Sequence, residues 1–263
     1  MKAAAVIVAG GLGKRFGSKT PKQFLPLCGK PAFLWSAEVF ASLKVFKQII
    51  VVVPKQFVTF TKNVLSSALS LRPPSRNLVI KGKIAGQARN DKTVPFAVTE
   101  GGKERFDSVK NGLELIASDI DYIAVHDAAR PLINKHDILA VLKKAANGCS
   151  AKGCSTEGCS TEGCRGAIAV EKTKDTIKTA KGGYVLNTLD RNILYNVQTP
   201  QIFEASLLKK AYSKKIPTNT TDDSMLMENL GVKIAIVETK FPNFKITAKQ
   251  DFELAKQILN ARR

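Results

Sequence analysis

Directly behind the apolar run AAAVIV the chain reads AGGLGKRFGSKTPKQF, which places Ala9, Gly10, Gly11, Gly13 and Gly17 around Lys14 and Arg15 and brings in Lys22 within Pro-Lys-Gln. Residues without a Cβ let backbone N–H groups approach phosphate oxygens closely, and the three cations add positive charge to the same stretch. A triphosphate is a natural guest for such a loop. The spacing separates it from two other phosphate cradles. A dinucleotide fingerprint needs G-x-G-x-x-G, which Gly11, Gly13 and Gly17 do not keep. A P-loop needs Ser or Thr after its lysine, and here Arg15 follows Lys14. A tight turn that merely needs glycine is the plainer alternative.

Other chemistry-bearing residues are scattered. HDAARP sets Asp127 and Arg130 close together, with an Asp-Arg pair tying down the turn before Pro131 as the bland reading. Cys28 stands alone, whereas Cys149, Cys154, Cys159 and Cys164 recur five residues apart in an iterated GCSTE. Zinc sites usually pair ligands as C-x₂₋₄-C with a longer gap between pairs, so a tandem-repeat insertion over 147–165 is the better reading than a metal site.

The elements that must position these residues follow from hydrophobic periodicity. AAAVIVAG is a short, apolar, glycine-stopped strand, and PAFLWSAEVFASL has helical spacing. QIIVVVP is a second apolar strand ending at Pro54. DYIAVHDAARP gives a later strand, followed by the helix KHDILAVLKKAA, and the chain closes with the strand VKIAIVE and the helix AKQDFELAKQIL. Alternating strands and helices predict one α/β domain over 1–263, a Rossmann-like, mostly parallel sheet flanked by helices. NTLDRNILYNVQTPQIF reads as extended arm and hairpin. KGKIAGQARNDKTVPFAVTEGG is longer than an ordinary connection.

The chain carries 41 Lys plus Arg against 22 Asp plus Glu, a formal net charge of +19. Such a field attracts polyanions, nucleic acid or phosphorylated small molecules alike. The lysines are spread out, and no helix-turn-helix, zinc-finger or RNP pattern is present, so a specific nucleic-acid partner is not expected. No apolar run reaches the roughly 18 residues that a membrane span needs, and no secretory leader is read at the start, so the expected location is cytoplasmic.

AGGLGKRFGSKTPKQF resembles the nucleotidyltransferases that join a nucleoside triphosphate to a sugar or polyol phosphate. GGKERFDSV, HDAARP, KDTIK, DRN, QTPQIF, TDDS and FKIT follow in the family's order, and together the eight motifs resemble the 2-C-methyl-D-erythritol 4-phosphate cytidylyltransferase family over nearly the whole chain. The resemblance implies transfer of a cytidylyl group from CTP to methylerythritol phosphate with release of pyrophosphate. Ribitol-5-phosphate or a related polyol phosphate is the alternative acceptor, and an inactive relative a further reading. Such a reaction needs positioning and charge stabilisation, not a protein nucleophile. His126 and His136 are the only histidines, which agrees.

The same resemblance implies the roles. Arg15 and Lys22 would stabilise the transition state, and Arg191 and Lys245 would position the acceptor phosphate. Ala9, Gly10, Gly11, Gly13, Lys14, Gly101, Gly102, Arg105, Ser108, Asp127 and Ala128 would bind the nucleotide. Asp127, Arg130, Thr176 and Thr221 would bind the acceptor, and Asp127 would also ligate Mg²⁺. Residues 170–198 resemble an arm that reaches a second subunit, which implies a homodimer whose sites share Thr176 and Arg191. Here the chain departs from the family pattern in two places, the cysteine repeat and the stretch before Gly101.

Overall fold

The computed structural model describes residues 1–11, 16–18, 20–69, 94–147 and 164–262. In chain order its elements are β1 (Ala3–Val8), β2 (Pro26–Leu27), β3 (Lys30–Pro31), α1 (Ala32–Ala41), β4 (Phe46–Val53), α2 (Val58–Leu69), β5 (Phe96–Glu100), α3 (Arg105–Leu113), β6 (Tyr122–Asp127) and α4 (Lys135–Asn147). Then come β7 (Gly166–Lys172), β8 (Lys178–Lys181), β9 (Tyr184–Thr188), β10 (Tyr195–Glu204), α5 (Ala205–Ser213), α6 (Asp223–Glu228), β11 (Ala235–Glu238) and α7 (Lys249–Ala261). Short 3₁₀ turns lie at Lys22–Phe24, Lys55–Phe57 and Arg191–Ile193.

A seven-stranded sheet runs in the order β11-β7-β10-β6-β1-β4-β5. Only β10 runs against the rest, pairing antiparallel with both β6 and β7. The continuous apolar strands follow from burial on both faces, as parallel sheets require. Along β1, Ala3, Ala5 and Ile7 pack with Phe33 and Phe40 of α1, while Ala4 and Val6 pack with Val109 and Leu113 of α3. A third cluster joins Leu27, Leu132 and Ile246 to Ala255 and Leu259 of α7.

The architecture is the expected α/β class. The sequence reads 81–102 as a long connection, yet Phe96–Glu100 is the edge strand β5, paired parallel with β4. Of the 147–165 stretch, Asn147 ends α4, and Arg165 is built into the fold, its N–H donating to Lys233 O and its C=O accepting from Glu204 N. Residues 148–163, with Cys149, Cys154 and Cys159, lie outside the described residues. Among the described residues, no helix is long and apolar enough to cross a membrane.

The hairpin β8–β9 stands apart as its own two-stranded sheet with every residue exposed. Gly182 and Gly183 at its turn both have positive φ, 58° and 85°, the left-handed conformation that glycine adopts without strain. The KGGYVL turn thus lies where the sequence places it.

Candidate active site

Parallel strands end side by side on one edge of the sheet, and the loops beyond them make the site. Val8, the last residue of β1, pairs with Asp127, the last of β6. Backbone bonds carry the alignment past the strands: Ala9 N donates to Val52 O at 2.7 Å, Ala128 N to Val8 O at 3.0 Å and Gly101 N to Val53 O at 2.8 Å. Ala9, Gly10 and Gly11 thereby lie beside Asp127 and Ala128 on one flank and Gly101 on the other.

Asp127 is the centre of charge. Its Oδ1 accepts from Arg105 Nε at 3.2 Å and its Oδ2 from Lys245 Nζ at 2.7 Å. Burial would raise the Asp127 carboxyl, but Arg105 and Lys245 outweigh burial and hold it well below the usual carboxylate range. Lys245 is held by a neighbour's backbone, since Ile246 N donates to Ala129 O at 2.8 Å and pins FKIT to the HDAARP turn. Arg105 in the first turn of α3 also reaches Asp223 Oδ2 through Nη2 at 2.7 Å. Burial opposes its charge, and Asp223 and Asp127 more than restore it.

A buried polar chain fixes the turn itself. Arg130 O can only accept, so the contact of His126 Nε2 with it at 3.2 Å puts the imidazole proton on Nε2. Nδ1 then accepts from the Thr199 hydroxyl at 3.2 Å, whose oxygen in turn accepts from Asp127 N at 3.0 Å. Burial keeps His126 neutral, lowering its pKa to about 4. Arg130 Nη1 donates to Asn243 O at 2.8 Å, and burial lowers its pKa. The Asp127 and Arg130 carboxylate and guanidinium do not pair with each other; only a backbone bond, Arg130 N to Asp127 O, closes the turn between them.

Arg105, Asp127, Arg130, Gln201, Thr221 and Lys245 line a cavity of about 480 Å³. On its flank, Ser108 Oγ accepts from Gly102 N at 3.1 Å, and a Cβ built on Gly10 or Gly101 would stand 2.9 or 2.8 Å from that oxygen. A side chain at either position would therefore displace the Ser108 hydroxyl from Gly102 N.

Gly13, Lys14 and Arg15 lie outside the described residues. Lys22 begins the 3₁₀ turn Lys22–Phe24, and its charge helps to lower the Asp251 pKa. Its neighbour Gln23, buried, donates to Ala9 O at 2.6 Å and Gly11 O at 2.7 Å, so PKQF is tied to the glycine loop. Thr176 and Arg191 belong to the exposed arm, where Arg191 Nη1 donates to Lys174 O at 3.2 Å, and neither lines the cavity. Sequence reasoning misses Gln23, Thr199, Tyr212 and Asp223. Three of the four lie inside quoted motifs, but spacing alone carries no sign of their partners.

A mostly parallel sheet whose strand ends gather arginine, lysine and carboxylate around a cavity defines a doubly wound α/β protein made to receive anionic ligands. The family model described as 2-C-methyl-D-erythritol 4-phosphate cytidylyltransferase matches residues 3–261. A relative of that name from Endomicrobium trichonymphae is 54% identical over 262 residues, covering 99% of this chain and 100% of its own. Another from Lachnospira eligens is 36% identical over 257 residues, covering 95% and 96%. The crystal structure of a 4-diphosphocytidyl-2C-methyl-D-erythritol synthase from Anaerococcus prevotii shares the fold, with a TM-score of 0.72 at 22% identity over 98% of both chains. The chain belongs to the 2-C-methyl-D-erythritol 4-phosphate cytidylyltransferase family.

Proposed function

We infer that this chain transfers a cytidylyl group from CTP to 2-C-methyl-D-erythritol 4-phosphate, giving 4-diphosphocytidyl-2-C-methyl-D-erythritol and pyrophosphate, a step of non-mevalonate isoprenoid biosynthesis. The observation that carries it is the Asp127 carboxylate held between Arg105 and Lys245 at the strand ends of a chain of this family. An acceptor phosphate oxygen attacks the α-phosphorus of CTP, and the bond to the bridging oxygen of pyrophosphate breaks. Charge that builds on the α-phosphoryl oxygens is met by Arg15 and Lys22 in this reading, with backbone donors of Ala9, Gly10, Gly11 and Gly13 along the triphosphate. Gly101, Gly102, Ser108 and Ala128 serve the nucleoside side, while Arg105, bonded to Asp127, borders the acceptor. Arg130, Thr221 and Asp127 take the acceptor's hydroxyls, and Lys245 its phosphate.

The donor set fits a magnesium ion held mainly by substrate. Each Asp127 oxygen has one protein donor and keeps further lone-pair capacity, and among the described residues no cluster of three metal-ligating side chains adds to it. Mg²⁺ commonly binds through one carboxylate plus phosphates and water. When bound it would neutralise phosphate charge beside Asp127.

The same reading includes a cytoplasmic homodimer. Tyr184, Val185, Leu186 and Ile193 of the arm are 79%, 63%, 65% and 75% exposed, an apolar surface suited to burial against a second copy. Arg191 and Thr176 would then complete the neighbour's acceptor site. The test is pyrophosphate release from CTP, Mg²⁺ and either methylerythritol phosphate or ribitol 5-phosphate, with Lys22→Ala beside the wild type. Turnover with the first acceptor alone, lost in the variant, is expected. An inert wild type, or a Lys22 variant with normal turnover, overturns the reading.

A further inference from the structure

Asp223 is fully buried, yet it does not line the cavity, and neither does Tyr212. A buried carboxylate is costly unless paired and hydrogen-bonded. Asp223 is both: Oδ2 accepts from Arg105 Nη2 at 2.7 Å, and Oδ1 accepts from the Tyr212 hydroxyl. Burial together with Asp223 raises the Tyr212 pKa, so the phenol stays a donor. Arg105 is thus shared between two carboxylates that belong to different layers, Asp127 at the end of β6 and Asp223 in α6.

The sharing has a geometric result. A free guanidinium and carboxylate tend to close a two-bond fork. Here Asp223 occupies Nη2, so Arg105 touches Asp127 through Nε alone, at 3.2 Å, which leaves Asp127 able to accept from a ligand. Arg105 Nη1 is buried and has no hydrogen-bond partner, although Arg105 lines the cavity. An unpaired buried guanidinium N–H is expensive, so Arg105 is held in this place by its two carboxylates.

We propose that Asp223 and Tyr212 are positioning residues that hold Arg105 off Asp127, keeping the Asp127 carboxylate available to the acceptor. The proposal rests on the acceptor-site reading above. Tyr212→Phe removes one hydrogen bond and leaves Asp223 paired with Arg105, so it is the gentle variant. Asp223→Asn keeps shape and removes the charge. Kinetics with each substrate varied in turn are expected to show kcat/KM for methylerythritol phosphate about tenfold lower in Tyr212→Phe and roughly a hundredfold lower in Asp223→Asn, with KM for CTP within about twofold of wild type. A purely structural role would move both substrates' parameters together. Folded variants with wild-type acceptor kinetics, or with equal losses for both substrates, overturn the proposal.

A second readout is independent of turnover. The side-chain Nε–H resonance of Arg105, assigned with Arg105→Lys, is expected to exchange slowly in the wild type, and to shift and exchange faster in Tyr212→Phe. An unchanged resonance overturns the positioning role whatever the activity. An inert wild type with the expected resonance change would instead sink the assignment of the reaction.

Discussion

Lys245 Nζ stands 2.7 Å from Asp127 Oδ2 across 118 residues of chain, and the two are brought together by the backbone bond from Ile246 to Ala129. The lysine side chain is 43% exposed, and Asp127 keeps Arg105 when it is removed. Asp127 itself is buried, so Lys245→Ala is expected to cost about 1–3 kcal/mol of stability, with Arg105 still holding the carboxylate. Its kcat/KM should fall by roughly a hundredfold, read by pyrophosphate release. An activity loss matched by an equal collapse in melting temperature would point to structure instead.

His126 gives a pH window. Burial lowers its pKa from 6.5 to about 4, so between those values the unfolded chain binds the proton that the folded chain refuses. Stability is then full above pH 6.5 and falls as the pH drops towards 4, by about 3 kcal/mol in all. Asp127 acts in a lower window: its pKa is depressed below the ordinary 3.8, so its contribution is present above that value and lost only in stronger acid. Urea midpoints measured at intervals between the two His126 values should slope in wild type and flatten in His126→Gln.

Gln23 is the strap on the glycine loop. Gln23→Leu would leave the carbonyls of Ala9 and Gly11 without its amide, at a cost of about 1–3 kcal/mol. Denaturant melts should register that loss. Because the loop faces the nucleotide in the proposed reaction, KM for CTP should rise more than KM for the acceptor.

The arm offers a separate test. Leu186→Asp places a charge in its most apolar stretch, between Val185 and the rest of β9, without touching the core. Sedimentation is expected to give half the wild-type mass and the assay a deep loss of turnover. A dimer that persists with full activity would remove the arm from assembly.

Deletion of residues 149–163 should leave turnover within about twofold, since the length of a connection costs little entropy. The deletion spares Cys164, which packs against the core, and Arg165, whose backbone bonds Lys233, before β11, and Glu204 of β10. A folded variant with a large fall in kcat would overturn this.

Legibility in the sequence follows the range of the forces at work. β1 and β4 announce themselves because both faces are buried and nearly every residue is apolar, Lys47 and Gln48 of β4 being the exceptions. α3 does not, because its first turn, Arg105–Ser108, holds three polar residues and only Ser108, Val109, Gly112 and Leu113 of the helix are buried. Asp127, Arg130 and Lys245 could be named from their motifs. That Arg105 would turn away to Asp223, 118 residues on, could not, for nothing local distinguishes one arginine's partner from another. Gln23 was hidden for the same reason: its partners are backbone atoms, which no residue pattern marks.

The reversed strand β10 begins beside the exposed hairpin, carries Thr199 against the Asp127 turn, and ends at Glu204 in the middle of the sheet. The strand thus starts exposed, passes the reactive end at Thr199 and runs on to the far end of β6, where Glu204 faces Tyr122. In the proposed dimer, a partner gripping the arm would hold the strand that also carries Thr199 against the Asp127 turn, so assembly and active-site geometry would share one strand.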